Sequence, residues 1–240
     1  MVLHLYFDPK EGCLKQQMKT LLPIRGNFNE LQRGMELSDV VAWNNRYYTF
    51  DDRTGIVFEL LPFVNKPSVL QSETNSKGFK IEWASVKDNM LYIGSIGKEY
   101  VSPDGVTVLH EDLFGVIRLN DNKLEPVRED WKRRYQALRA ISGCPYPGYL
   151  IHEAARFSNV RREWVFLPRR CSTKPYDEVS DEIRGCNLIL GISEANTIWK
   201  RKIRKRSRNQ RKGYSAFAFM PGTNDEVLVA LSTEENSSTA

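Results

Sequence analysis

The sequence predicts an all-β fold built from about four repeated units of short strands, arranged radially as in a β-propeller. Four glycines, each followed by Met, Phe or Tyr, open strand-like runs: Gly34-Met35, Gly78-Phe79, Gly148-Tyr149 and Gly213-Tyr214. Each opening is followed by a turn and a second β-rich run, and the openings recur every 44 to 70 residues. Such repetition is typical of radial β-architectures. The sequence lacks sustained alternation of strands and helices, which argues against Rossmann and barrel folds.

We predict two parts in the chain: a divergent N-terminal segment, residues 1–33, and a repeated domain, residues 34–240. Residues 1–33 show little periodicity, and we expect a strand at 2–7 and irregular or helical structure around 11–22. The first unit has strands at 39–43, 46–50 and 56–61, with a tight turn at Asn44-Asn45. A polar loop at 67–78 separates it from strands at 81–86, 90–93 and 99–101.

The second half contains one predicted helix near 128–141, where Trp131, Tyr135 and Leu138 recur at helical spacing and Gly143 and Pro145 follow. That apolar stripe is expected in the core. Strands are predicted at 150–157, 164–167, 186–192, 214–220 and 227–231. A charged loop is expected at 174–185.

Composition and charge exclude several function classes. With 240 residues and 41% hydrophobic content, the chain can form one sizeable core. The four cysteines, Cys13, Cys144, Cys171 and Cys186, show no zinc or redox spacing, and they are compatible with one or two disulfides. No apolar run reaches the roughly 18–20 residues of a membrane helix, and no signal peptide is visible. We therefore expect no membrane span in this chain.

The excess of basic over acidic residues comes from one short segment of the chain. Nine of the 35 Lys and Arg residues lie between Lys200 and Lys212, a segment that contains no acidic residue. No aromatic residue follows Trp199 in this run, so base stacking is not indicated and nucleic acid is not an expected partner. We expect a solvated, mobile loop here, and contact with an anionic membrane or nucleic acid is the alternative.

Three of the repeated openings place a carboxylate at nearly the same offset from the glycine: Asp39, Glu82 and Glu153. In a propeller the first strand of each blade lines the central channel, so these carboxylates would point toward one axis. Converging carboxylates repel one another unless a cation lies among them, and oxygen ligands suit a hard ion such as calcium. Surface or salt-bridged carboxylates are the alternative interpretation. His152 directly precedes Glu153, and successive residues of a strand point to opposite faces. We therefore expect His152 to point away from Glu153, and we interpret it as a packing or hydrogen-bonding residue.

An ordered set of motifs from about residue 33 to 235 resembles the calcium-activated nucleotidase, or soluble apyrase, family. The set includes Arg33-Gly-Met-Glu-Leu-Ser-Asp39, Phe50-Asp-Asp-Arg-Thr-Gly55, Gly78-Phe-Lys-Ile-Glu-Trp83, Gly97-Lys-Glu-Tyr100, Tyr135-Gln-Ala-Leu-Arg139, Pro147-Gly-Tyr-Leu-Ile-His-Glu153 and Phe166-Leu-Pro-Arg-Arg170. The resemblance implies a five-bladed propeller with calcium in the central channel. It also implies hydrolysis of nucleoside di- and triphosphates, UDP and GDP among them, in the endomembrane lumen (ER or Golgi) or outside the cell.

The same resemblance implies a set of site residues. The calcium positions fall on Ser38, Asp39, Glu82, Glu153 and Ser215. Hydrolysis needs charge neutralisation on the phosphoryl oxygens and a water placed in line. Asp52 is expected to orient that water, and Arg169 and Arg170 to bind phosphate through their guanidinium forks, the alternative being a solvated strand end. Glu36 and Lys98 are expected at the channel mouth.

The chain departs from the family pattern at both ends. The family's first-blade strand, which carries an aspartate close to the metal, has no recognisable counterpart in residues 1–33, and the final glutamate ligand would lie beyond residue 240. We therefore expect an incomplete propeller that is weakly active or inactive. A non-catalytic fragment or binding module that has lost the complete metal site is the alternative function.

Overall fold

The computed structural model describes residues 2–8, 10–11, 13–19, 34–60, 65–69, 79–120, 123–204 and 210–234. The chain divides into two compact units, residues 1–35 and residues 36–240. In the first unit, strands β1 (Val2–Asp8) and β2 (Cys13–Lys19) form an antiparallel hairpin. The predicted strand at 2–7 is confirmed. The expectation of irregular or helical structure at 11–22 is wrong for residues 13–19, because their backbone pairs in register with β1.

The second unit is built from sheets of consecutive antiparallel strands. The first sheet contains β3 (Leu37–Trp43), β4 (Arg46–Asp51), β5 (Ile56–Leu60) and β6 (Asn65–Val69) in that spatial order. Asn44 and Asn45 both have positive φ, which confirms the predicted tight turn. The loop predicted from residue 67 is wrong for residues 67–69, which belong to β6. Pro67 is tolerated there because β6 is an outer strand whose free edge needs no ladder donor. Residues 70–78 of that loop lie outside the described residues.

The second sheet runs β7 (Trp83–Lys87), β8 (Met90–Gly94), β11 (Gly115–Asn120) and β12 (Lys123–Asp130). A small hairpin, β9 (Tyr100–Val101) with β10 (Val108–His110), and a 3-10 helix (Asp112–Phe114) lie between β8 and β11. Helix α1 (Lys132–Ser142) follows. It starts later than the predicted residue 128 because residues 128–130 complete β12, and it ends at Gly143, whose φ of 78° matches the predicted stop.

The third sheet runs β14 (Ala154–Ser158), β15 (Glu163–Leu167), β17 (Leu188–Ser193) and β18 (Ile198–Lys202). A separate antiparallel pair consists of β13 (Tyr149–Ile151) and β16 (Arg170–Ser172). In the sequence, β13 precedes the third sheet and β16 lies between β15 and β17. The continuous strand predicted at 150–157 is therefore wrong: it breaks at His152-Glu153, where the His152 amide donates to the Ile96 carbonyl (3.0 Å). Helix α2 (Glu178–Asp181) lies within the segment predicted as a charged loop.

The last described sheet pairs β19 (Gly213–Phe219) with β20 (Leu228–Thr233). Residues 200–202 of the basic run belong to β18, so the prediction of a loop is wrong there, although the side chains of Lys200, Arg201 and Lys202 are exposed as expected. Residues 205–209 lie outside the described residues. Among the described residues, no helix is long and apolar enough to cross a membrane.

The first strands of the four sheets lie side by side, with β3 packed against β7, β7 against β14 and β14 against β19. Meandering sheets with adjacent first strands are the arrangement of propeller blades, and the predicted all-β architecture of about four units is confirmed. The largest core cluster joins the second and third sheets and α1 through buried aromatic side chains: Trp83, Tyr92, Trp131, Tyr135, Phe157, Trp164 and Phe166. Burial of these side chains fixes the relative position of β7 and β14, the strands beside the candidate site.

Candidate functional site

Two of the predicted carboxylates occupy equivalent positions in neighbouring sheets. Glu82 immediately precedes β7, and Glu153 immediately precedes β14. Because β7 and β14 pack against each other, the two glutamates lie at the start of adjacent first strands. The recurring Gly-aromatic opening thus places them on the same side of the unit.

A lysine that sequence reasoning did not single out lies between Glu82 and Asp52. The Lys80 ammonium is 2.7 Å from Glu82 Oε1 and 3.0 Å from Asp52 Oδ2. Burial opposes the charged form of Lys80, but the carboxylates of Glu82 and Asp52 outweigh it and hold the lysine pKa above its ordinary value. Burial raises the pKa of Glu82, against the opposing charges of Lys80 and Arg169.

Arg169 pairs with the second glutamate. Its guanidinium donates to Glu153 Oε2, and its charge also acts on Glu82. The backbone of Arg169 is fixed by a hydrogen bond from its amide to the Ile151 carbonyl (2.8 Å) and by close contact with Gly213, where an added Cβ would lie 1.9 Å from the Arg169 carbonyl oxygen. Only glycine allows this approach. We refer to Asp52, Lys80, Glu82, Glu153 and Arg169 as the glutamate cluster.

The turn between β4 and β5 orients Asp52 toward this cluster. The neighbouring Asp51 stabilises the turn, because its Oδ1 accepts hydrogen bonds from the amides of Arg53 (3.1 Å) and Thr54 (2.8 Å). Its Oδ2 accepts from the Glu36 amide (2.9 Å), and the Asp52 amide donates back to the Glu36 carbonyl (3.0 Å). Asp52 Oδ1 is buried and has no hydrogen-bond partner among the described residues. An unpaired buried carboxylate oxygen is costly unless something binds to it.

The third predicted carboxylate, Asp39, lies in a different ion pair. Arg156 donates from both terminal nitrogens to the two oxygens of Asp39, at 2.7 Å each. The amides of Val40 and Ala84 each donate to one of the same oxygens at 2.8 Å. The pair therefore joins β3, β7 and β14, and the four acceptor positions of Asp39 are used. Sequence reasoning missed Arg156, because its contacts with the neighbouring first strands form only when the sheets pack together.

The two predicted serine ligands lie in the strands next to the cluster. Ser38, in β3, donates its hydroxyl to the carbonyl of Ile81 (2.6 Å), the residue before Glu82. Ser215 lies half-buried in β19, two residues after the Gly213 contact with Arg169. Both hydroxyl groups are thus on elements that position the glutamate cluster.

Lys98 and Arg170 belong to a second cluster, which also contains Tyr149, Tyr176 and Asp181. The Lys98 ammonium lies 4.3 Å from the ring centre of Tyr176, and burial lowers the lysine pKa to about 8 despite the charges of Glu99 and Asp181. Arg170 donates to Asp181 (3.3 Å) and to the carbonyl of Arg211 (2.7 Å). Its neighbour Cys171 forms a disulfide with Cys186, which closes the loop that carries Tyr176.

The two clusters are neighbours. Burial and the charge of Asp181 raise the pKa of Tyr176 to about 12, and the charge of Lys80 acts on the same tyrosine in the opposite direction. The structure therefore brings Asp52, Glu82, Glu153 and Arg169 together and places Lys98 and Arg170 beside them. His152 is apart from both clusters: it is fully buried between the rings of Tyr135 and Phe166, which confirms the packing interpretation.

The chemistry of the glutamate cluster fits a hard cation. Its possible donors are the carboxylates of Glu82, Glu153 and Asp52, together with the hydroxyls of Ser38 and Ser215, all oxygen ligands of the kind that calcium prefers. Asp52 Oδ1, which is buried and has no hydrogen-bond partner in the described part of the chain, is the observation that supports this fit. However, no three carboxylate, imidazole or thiolate groups of the described residues are placed to hold one ion, so the expected convergence of Asp39, Glu82 and Glu153 is not seen. Arg156, Lys80 and Arg169 are bonded to these three carboxylates instead.

Comparison with known proteins identifies the family. The family model described as Apyrase matches residues 4–240. Soluble calcium-activated nucleotidase 1 from Rattus norvegicus is 38% identical over 217 residues, which cover 89% of this chain and 53% of the rat protein. Apyrase apy-1 from Caenorhabditis elegans is 37% identical over 214 residues, covering 85% of this chain and 58% of the nematode protein.

Among solved structures, virginiamycin B lyase from Staphylococcus aureus aligns with 90% of this chain and 52% of its own chain, at 12% identity and a TM-score of 0.36, which supports no conclusion here. The chain spans about half the length of the curated relatives it matches. The family match, in contrast, covers nearly every residue and includes both glutamates of the cluster. On this ground the chain belongs to the apyrase family.

Proposed function

We propose that this chain provides the glutamate cluster of a calcium-dependent hydrolase that converts nucleoside di- and triphosphates, UDP and GDP among them, to monophosphate and phosphate. One observation carries the proposal: Glu82 and Glu153 precede adjacent first strands, with Asp52 and Arg169 beside them. Acidic oxygens for a hard cation and a guanidinium for phosphate thus occur within one site. Family membership supports the same function.

Calcium would be held by Glu82 and Glu153, with the hydroxyls of Ser38 and Ser215. When bound, it would supply Lewis acidity and a template for the phosphate groups. Asp39 enters this ligand set by resemblance to the family. A direct bond from Asp39 to the ion would require it to exchange one of its four hydrogen bonds, two of which come from Arg156.

The remaining residues of the cluster position the nucleotide and the water. Arg169 would bind the terminal phosphoryl oxygens and stabilise the charge that develops on them. Asp52 would accept a hydrogen bond from the attacking water through Oδ1, for which the described residues supply no partner, and would orient that water in line. As the water oxygen bonds to phosphorus, the bond from phosphorus to the bridging oxygen breaks, and the shorter nucleotide leaves with that oxygen.

Lys98, Arg170 and Glu36 would contribute at the mouth of the site. The Lys98 ammonium lies over the ring of Tyr176, and Arg170 pairs with Asp181, whose charge acts on the same tyrosine. Glu36 connects through its backbone to the turn that holds Asp52. The Cys171–Cys186 disulfide supports a lumenal or extracellular setting, because structural disulfides persist in oxidising compartments.

A non-catalytic binding module is the second candidate. The saturated ion pair between Asp39 and Arg156 favours it, because this pair holds one expected ligand away from the ion. Such a module would bind calcium or nucleotide through the cluster without turnover.

The two candidates are separated by phosphate release from UDP, measured with calcium and with a chelator. For the enzyme, Glu153→Gln should abolish calcium-dependent release while leaving the fold intact, because one anionic ligand is lost without opening a core cavity. Glu59→Gln is the matched control, since Glu59 also pairs with an arginine, Arg46, but lies in β5 away from the cluster. Calcium binding without phosphate release would favour the binding module. Equal calcium-dependent rates in both variants would contradict the assignment of Glu153.

A further inference from the structure

Lys80 is the central cation of the glutamate cluster. Its ammonium contacts one oxygen of Glu82 and one of Asp52, at 2.7 and 3.0 Å. The carboxylates are mostly shielded from water, with 9% and 17% of their side chains exposed, whereas the lysine side chain is 38% exposed. The Lys80 ammonium thus contacts shielded carboxylates, while the rest of its side chain is partly exposed to solvent. It can therefore leave these carboxylates without crossing the core.

A divalent cation held by Glu82 would lie within a few ångströms of the Lys80 ammonium, which contacts Oε1 of the same carboxylate. The two cations oppose each other there, because like charges a few ångströms apart in a partly buried site repel strongly. Lysine is suited to such exchange, since its ammonium is a point charge on a flexible stem, unlike the bidentate guanidinium of Arg156.

We propose that Lys80 is a built-in competitor of calcium, and that displacement of its ammonium from Glu82 sets the calcium concentration at which the cluster binds the ion. The inference rests on the proposed calcium site and adds a regulatory role for a residue that is neither a ligand nor a catalytic group. It implies that the acidic cluster stays neutralised at low calcium and binds the ion at higher calcium concentrations than the same carboxylates would without Lys80.

The chain offers a matched control at the end of β7 that is remote from Lys80. Lys87, at the other end of β7, also bridges two carboxylates, Asp88 (3.2 Å) and Glu194 (2.8 Å). Its partners are more than 40% exposed and lie away from the glutamate cluster. Loss of Lys87 therefore removes the same net charge from the chain without removing a competitor from Glu82.

The test is calcium binding by the full chain, measured by calorimetry and by the calcium-dependent shift of the thermal unfolding midpoint. Lys80→Gln should lower the apparent Kd for calcium about tenfold or more, because a close, shielded charge contact no longer opposes the ion. Lys80→Gln should also unfold at a lower temperature in chelator, since Asp52 and Glu82 lose their counter-ion. Lys87→Gln should change the Kd by less than about threefold, as expected of an exposed pair.

Lys80→Arg keeps the positive charge and tests the inference if the glutamine variant folds poorly. It should bind calcium no more tightly than the wild type, because arginine can contact both carboxylates. Unchanged or weaker calcium binding in Lys80→Gln, or tighter binding in Lys80→Arg, would overturn the inference while leaving the calcium site in place. If neither the wild type nor Lys80→Gln binds calcium, the proposed calcium site fails and the inference fails with it. Binding by Lys80→Gln alone would support both.

Discussion

The Asp39–Arg156 pair and the glutamate cluster differ in how many of their hydrogen-bonding positions are occupied. The Asp39–Arg156 pair joins three strands, and each Asp39 oxygen accepts one guanidinium and one amide hydrogen bond. In the glutamate cluster, Lys80 is shared between two carboxylates, and Asp52 Oδ1 has no partner among the described residues. Both groups are largely buried. The occupancy of its hydrogen-bonding positions, more than its burial, therefore distinguishes a structural carboxylate from one that is available to a ligand.

The geometry of the two cations explains the contrast. A planar guanidinium matches a carboxylate with two parallel hydrogen bonds, so Arg156 fixes Asp39 in one orientation. An ammonium makes single contacts and can move between them. The strands are therefore tied together by the arginine pair, whereas the lysine contacts leave the glutamate cluster open to exchange.

The largest expected effect is loss of stability on breaking the arginine pair. Arg156→Met leaves Asp39 buried without its counter-ion and should cost about 3–5 kcal/mol of unfolding free energy. Adding Asp39→Asn should recover part of this loss. Urea unfolding measures both, with Arg46→Met as control, because its pair with Glu59 is exposed on the arginine side and should contribute less than about 1 kcal/mol. Equal losses for Arg156→Met and Arg46→Met would contradict the structural role.

A smaller effect, on catalysis, is expected in the glutamate cluster. Arg169→Ala should reduce transition-state stabilisation by about 2–4 kcal/mol, as is typical when one electrostatic contact to the reacting group is lost. Initial rates of UDP hydrolysis at saturating calcium measure this, together with urea unfolding. Arg161→Ala is the control, because Arg161 pairs with Glu163 at 2.9 Å away from the cluster. A loss of stability with an unchanged rate would make Arg169 a structural residue like Arg156.

The smallest effect concerns the pH dependence of Lys98. Burial lowers its pKa to about 8, so the folded protein loses this positive charge as the pH rises from 7 to 9. Affinity for a non-hydrolysable nucleoside diphosphate should fall up to about tenfold over that range, since one charge-assisted contact is lost. Calorimetry at both pH values measures it, and Lys98→Met should show a flatter profile. A wild-type profile equal to that of Lys98→Met would exclude Lys98 from nucleotide binding.

The same lysine predicts the sign of a stability change. Because the folded-state pKa lies below the ordinary value of 10.5, the unfolded chain binds more protons between pH 8 and 10.5. Lys98 therefore destabilises the fold at pH values below 8, and this penalty is relieved as the pH rises toward 10.5. Lys98→Met should remove that contribution.

Local sequence signals predicted most of the strands, but they failed where tertiary contacts decide. The tight turn at Asn44-Asn45 follows from residues that tolerate positive φ, and the structure confirms it. Pro67 indicated a loop, yet an outer strand accepts it because no ladder bond is needed at that edge. The sequence predicts one strand at 150–157, and the break appears only in the tertiary structure, where β13 and β14 pair with different strands and the His152 amide donates to the Ile96 carbonyl.

Local sequence patterns predict the all-β architecture and the recurring openings that place Glu82 and Glu153 before adjacent first strands. Periodicity and turn residues carry this information because they act over a few neighbouring positions. These patterns do not show which cation pairs with which carboxylate. Asp39 and Arg156 are 117 residues apart in sequence, and Lys80 and Asp52 are 28 apart. Such pairings depend on how the sheets pack, and the same carboxylate offset therefore gave a structural ion pair in β3 and a candidate binding site beside β7 and β14.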